Sequence, residues 1–78
     1  MMSNTDQTTS TIKLVELLCR EGYKPDGLWE KSGKVYVHTE PIEGLAAPCV
    51  FTLGKKGEIQ GVPVPILLGL SPENMQKI

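Results

Sequence analysis

The stretch that most constrains the fold is residues 49–64: Cys49-Val50-Phe51-Thr52-Leu53, then Gly54-Lys55-Lys56-Gly57, then Glu58-Ile59-Gln60-Gly61-Val62-Pro63-Val64. Two apolar runs rich in β-branched residues flank a linker whose end glycines tolerate the positive φ that tight hairpin connections need. In the first run Cys49, Phe51 and Leu53 alternate with Val50 and Thr52. A period of two is what a strand with one face in the core requires. This pattern predicts the longest hairpin of a small antiparallel sheet.

Residues 11–21 predict a helix. Ile12, Val15, Leu18 and Cys19, with Leu14 beside them, recur at steps of three and four, while Lys13, Glu16 and Arg20 fall on the opposite face. Ser10 or Thr11 can cap its start. Gly22 stands where a left-handed C-terminal cap is wanted, Tyr23 can fold back on the last turn, and Pro25 forbids continuation. So short a helix is unstable alone and must pack its apolar stripe on the sheet.

Lys24-Pro25-Asp26-Gly27 reads as a turn. Residues 28–31 then form a short strand, Ser32-Gly33 a tight turn, and residues 34–39 the partner strand. Val35 and Val37 point one way there, Tyr36 and His38 the other. Residues 40–48 hold two prolines, a glycine and two alanines and read as an irregular connection, long for a plain hairpin. Such loops are where partners are often met. Residues 62–70 are apolar without a helical or strand period, and Pro63 and Pro65 deny them regular ladder bonding, which predicts an extended or polyproline-like segment. Ser71-Pro72-Glu73 carries a helix-start signature, with room for one or two turns before the last residue, Ile78.

The predicted fold class is therefore α+β: one N-terminal helix on a small antiparallel β-meander of three to four strands, followed by a short C-terminal helix. The expected core is Ile12, Leu14, Val15, Leu18, Val35, Val37, Phe51, Leu53 and Ile59, with Trp29.

Seventy-eight residues make a single domain. Residues 1–10 contain no apolar residue after Met2 and read as a disordered tail, leaving residues 11–78 as the domain. A folded part of roughly 65 residues buries only ~60% of its unfolded-chain surface and has about 5 kcal/mol of stability. A deep substrate cavity would compete with the core for the same few apolar side chains, so a binding function on the outside is favoured over an enclosed active site. The formal charge is −1, with eight basic and nine acidic residues, which gives no electrostatic case for duplex nucleic acid. No apolar run approaches the ~20 residues of a membrane span, and the N-terminus reads as no secretory leader, so a cytoplasmic location is expected. In a reducing compartment Cys19 and Cys49 read as small hydrophobes before they read as a disulfide.

No residue pattern points to a cofactor, a metal or a catalytic group. His38 is the single histidine. Glu40, two residues on, would share its strand face and could orient the imidazole, yet a solvated strand histidine is the simpler reading. One histidine, two distant cysteines and scattered carboxylates supply no metal-ligand cluster. Gly54-Lys55-Lys56-Gly57 lacks the strand–loop–helix setting of a phosphate loop and reads as a solvated hairpin tip, although Lys31 and Lys34 could join it in a small basic patch. Trp29 and Tyr36 are core anchors if they face the helix and binding hot spots if they face away. For Val62, Val64, Ile66, Leu67, Leu68 and Leu70 two readings stay open: folding back over the sheet, or presenting an apolar docking surface.

The run Leu17-Leu18-Cys19-Arg20-Glu21-Gly22-Tyr23, followed by a short strand, a Ser-Gly turn and a strand with a histidine, resembles the helix end of the small mRNA-interferase toxins of the HicA type. The resemblance covers about the first third of the folded part and implies an RNA-directed role. Those toxins carry a Gly-Ser-His signature as catalytic element. This chain has Ser32-Gly33-Lys34 near that point and His38 several positions on, so the resemblance does not carry the activity across.

The functional expectation is a small non-enzymatic regulator or inhibitor that docks on a larger protein through Val62, Val64, Ile66, Leu67, Leu68, Leu70, Trp29 and Tyr36. Accessory proteins of phage or plasmid type acting on host transcription or nuclease machinery have this profile. The alternative is a small RNA-binding or mRNA-interferase-like module of the toxin–antitoxin type.

Overall fold

The computed structural model describes residues 3–44 and 48–78. A single helix, α1 (Ser3–Arg20), lies against a five-stranded antiparallel sheet built from β1 (Pro25–Lys31), β2 (Lys34–Thr39), β3 (Val50–Leu53), β4 (Ile59–Gly61) and β5 (Gln76–Lys77), in the order β4-β3-β2-β1-β5. The fold is α+β, as its patterning predicts. The short C-terminal helix is one 3-10 turn (Pro72–Asn74), and behind it the chain adds a fifth, two-residue strand along the outer edge of β1.

Helix α1 starts at Ser3 rather than near Thr11, so the expected tail is helical from Ser3 onward, while Met1 and Met2 lie outside the described residues. Once a helical nucleus is packed, each further residue adds one backbone bond for one ordered residue. Its C-terminus follows the sequence signal closely. Gly22 takes φ 92°, its N–H donates to the Cys19 carbonyl, and the Tyr23 N–H donates to the Leu18 carbonyl at 3.0 Å. These two bonds are the Schellman pair, and they turn the Tyr23 ring back onto the core. The buried stripe is Leu14 and Leu18 with Val15 beside them. Ile12, expected in the core, is 56% exposed, and Cys19 is exposed as well. Ile12 stands about 160° around the helix from Leu14, and Cys19 about 100° from Leu18, beyond the edge of the sheet contact.

Directly paired residues share a sheet face. Leu28, Val37 and Phe51 align across β1, β2 and β3, and with Val35, Leu53 and Ile59 they form the face that α1 covers. Phe51 sits 4.8 Å from the Tyr23 ring, centroid to centroid. Trp29, Tyr36 and Thr52 align on the opposite face. That face is not open to solvent. After β4 the chain crosses it as a strap, with Val62 and Leu70 packed on Trp29, Tyr36 and Val50 and Met75 closing the end. The sheet is thus the middle of three layers, with a core on each side.

Two strand boundaries differ from the sequence reading. Residues 24–27 are not a turn, because β1 begins at Pro25. Pro25 pairs with Thr39 and Gly27 with His38, so Asp26 is an extra, bulged residue. An edge-of-ladder proline with a bulge behind it has the same residues as a turn, which is why the two look alike in sequence. The Lys31–Lys34 connection is the expected tight turn, with Ser32 at φ 53° and Gly33 at φ 77°. The Leu53–Ile59 connection is the expected hairpin tip, closed by the Gly54 N–H donating to the Glu58 carbonyl at 2.7 Å. Its second strand is short, because Val62, bonded to the Val50 carbonyl, is the last residue on the ladder before Pro63. The irregular connection of residues 40–48 is described only in part, residues 45–47 lying outside the described residues.

Candidate functional site

The strap carries most of the expected contact residues and divides them into two sets. Val62 and Leu70 are buried, and so are Trp29 and Tyr36 beneath them. Val64, Ile66, Leu67 and Leu68 face outward, with Leu67 79% and Ile66 71% exposed. Residues 62–70 are thus divided between burial and exposure. The strap folds back over the sheet through its ends and presents its middle. Trp29 and Tyr36 do face away from the helix, yet they are core anchors, since the strap supplies the second core they lie in.

Local chemistry explains the strap's shape. Pro65 opens a 3-10 turn (Pro65–Leu68) in which no residue is buried, and Gly69 closes it at φ 75° with its N–H donating to the Ile66 carbonyl. One turn is enough to lift four aliphatic side chains off the sheet and bring Leu70 back down onto it. Two side chains from the sheet hold the strap by its carbonyls. Lys31 Nζ donates to the Leu68 carbonyl at 2.6 Å, and the Trp29 indole N–H donates to the Ser71 carbonyl at 2.9 Å. The polar tip of a buried tryptophan is satisfied in this way. Ser71 precedes the second 3-10 turn without making a side-chain cap bond, and Met75 then lies over Gly27 so closely that a Cβ there would run into its side chain.

Between the strap and the sheet lies an open groove of about 490 Å³. Trp29, Val50, Val62 and Leu70 line it together with Val64, Ile66, three prolines and Met75. His38 and Cys49 also line it. The His38 ring is held by Asp26, whose carboxylate accepts from Nδ1 at 2.5 Å, and it meets Trp29 edge-on with ring centroids 6.0 Å apart. A carboxylate is acceptor-only, so Nδ1 carries the proton and Nε2 is the nitrogen left for other contacts. Glu40, the carboxylate that sequence spacing offers to His38, is exposed, and its N–H donates to the Lys24 carbonyl. The partner is twelve residues upstream, and the β1 bulge turns it toward the ring. The signal in sequence was the Pro25-Asp26-Gly27 cluster, which reads more readily as a turn.

The lysines gather at the other end of the sheet. Lys34, Lys55 and Lys56 line one depression there with Glu58 and Gln60, and Lys13 reaches toward Gly57. Glu58 bonds the Lys56 N–H and Gln60, placing a carboxylate in the middle of that patch.

Among the described residues no three His, Cys, Asp or Glu side chains could hold a metal ion, and no helix is long and apolar enough to cross a membrane. Cys19 and Cys49 form no disulfide. No protein-family model, curated protein or solved structure matches the chain.

Proposed function

We propose that this protein is a small non-enzymatic regulator or inhibitor that acts by docking the exposed middle of its strap onto a larger protein. The observation that carries this reading is the outward set of Val64, Ile66, Leu67 and Leu68 on a segment pinned at both ends by Val62 and Leu70. Four neighbouring aliphatic side chains in water weaken solubility and add nothing to the core. Held in place by proline, by a 3-10 turn and by the Lys31 and Trp29 hydrogen bonds, they need little further ordering to bind, which lowers the entropy lost on association. Assemblies of transcription or nuclease machinery, met by an accessory protein of phage or plasmid type, are the proposed targets.

The experiment is affinity capture from the native host with the parent chain and with Leu67→Asp. A partner recovered by the parent and lost by the variant, with affinity down at least tenfold (about 1.4 kcal/mol), supports the reading. Equal recovery by both places the contact elsewhere.

The RNA-binding alternative rests on Lys34, Lys55 and Lys56 around one depression. Phosphate contacts weaken steeply with salt, whereas strap docking does not. An RNA affinity that falls with salt and is lost in the Lys55→Ala, Lys56→Ala double variant would favour that alternative.

A further inference from the structure

We infer that the groove between strap and sheet is a binding site for a small neutral aromatic molecule bearing one O–H or N–H donor, a phenol or an indole, with His38 Nε2 as the acceptor. This goes beyond protein docking: Val64 and Ile66 border both surfaces, while Leu67 and Leu68 lie outside the groove.

Size, walls and charge each narrow the ligand. At about 490 Å³ the groove is within the range of small-molecule sites, which are apolar with a few placed polar groups. Beside five aliphatic side chains it is lined by the Trp29 indole, the rings of Pro63, Pro65 and Pro72, and the Met75 thioether, which offer an aromatic ligand ring contacts and a favoured sulfur neighbour. No lysine or arginine lines the groove among the described residues, and Asp26 stands directly behind His38. An anionic ligand would be stripped of water with no countercharge beyond an imidazole already paired with a carboxylate, which disfavours it.

The polar end then sets the head group. Asp26 occupies Nδ1, so in the neutral imidazole the Nε2 lone pair is the acceptor. A ring O–H or N–H is its complement. His38 has 30% of its side chain exposed and lines the groove, so it is reachable without unfolding the strap. Asp26 is a positioning residue, acting through His38.

The test is a nuclear magnetic resonance titration of the full chain with para-ethylphenol and with para-ethylanisole, in which an O–methyl replaces the O–H donor, so that the donor's share is read from the change in their ratio on removing the His38 ring. The single tryptophan and single histidine give unambiguous reporters. Saturable shifts of the Trp29 indole N–H and the His38 ring signals are expected, with the phenol bound roughly fivefold tighter, the worth of one net hydrogen bond. His38→Ala should erase that preference while the anisole still binds. Asp26→Asn should shrink the preference without changing anisole affinity, which a merely structural role would not do. Leu67→Asp should leave both affinities unchanged, separating this site from the docking surface. Absence of saturable shifts for either compound, a phenol preference that His38→Ala leaves unchanged, or shifts confined to Leu67 and Leu68 would overturn the inference. If His38→Ala does not fold, Asp26→Asn carries the same comparison, and an unchanged preference in it overturns the inference as well.

Discussion

Ser32 shows how one residue can carry strain that its neighbours impose. It is the one described non-glycine residue with positive φ, at 53°, and with Gly33 at 77° it makes the two-residue turn whose twist matches the flanking strands. Serine bears a Cβ penalty there that asparagine, which bonds its own backbone, largely escapes. Ser32→Asn is therefore expected to stabilise the protein by about 0.5–1 kcal/mol, read as a higher urea midpoint at unchanged slope. Phe51 lies at the other extreme. It is buried at the centre of the helix-side core against Tyr23 and Val37, and truncation to alanine leaves a cavity among residues that cannot close over it. Phe51→Ala should destabilise by roughly 3–5 kcal/mol, close to all the stability a domain of this size has. A loss under about 1 kcal/mol in urea unfolding would mean that the ring is not core. Both positions were legible in sequence, Phe51 from its period of two and Ser32 from Ser-Gly between strand patterns. The His38–Asp26 pair was not. It joins residues twelve apart through a bulge, and a bulge has no periodic signature.

At the scale of elements, the helix is uneven along its length. Its last three turns bury Leu14 and Leu18 and end in a satisfied Schellman cap. Its first turns are Ser3-Asn4-Thr5-Asp6-Gln7-Thr8-Thr9-Ser10, all but one of them poor helix formers, with no aliphatic or aromatic side chain to bury. Composition made this stretch read as a tail, and backbone bonding makes it helix. The two meet in the dynamics. Amides of residues 8–10 should exchange with solvent on the order of 100-fold faster than those of Leu14 and Leu18. Equal protection would show that the extension is packed on the domain and that the helix is one cooperative unit. The opposite edge is also finely balanced, since β5 is two residues long and held against β1 with Met75 pressed on Gly27. Nothing in Gln76-Lys77 marks a strand; pairing there is dictated by where the strap ends.

For the whole molecule, the second core is the feature that sequence reasoning could not resolve. Val62, Pro63, Val64, Pro65, Ile66, Leu67, Leu68 and Leu70 have no period to say which of them face inward, because the chain is neither helix nor strand there and each orientation depends on the sheet beneath. The layer arrangement decides it. The sheet presents Trp29, Tyr36 and Val50 on the face away from α1, and the nearest apolar chain is the strap, which covers them with Val62 and Leu70. Two substitutions of the same chemistry, three residues apart, should then behave in opposite ways. Leu70→Asp places a carboxylate among Trp29, Tyr36 and Val62, combining the loss of a buried leucine with the burial of a charge. It should destabilise by about 3 kcal/mol or more and leave the chain largely unfolded in urea titrations. Leu67→Asp puts the same charge on a side chain that is 79% exposed, and its stability should stay within about 0.5 kcal/mol of the parent. If Leu67→Asp unfolds the protein as Leu70→Asp does, the outward side of the strap is packed in solution. The docking surface then has to be sought elsewhere. If neither variant changes the midpoint, the strap is not seated on the sheet, and Trp29 and Tyr36 become the exposed surface.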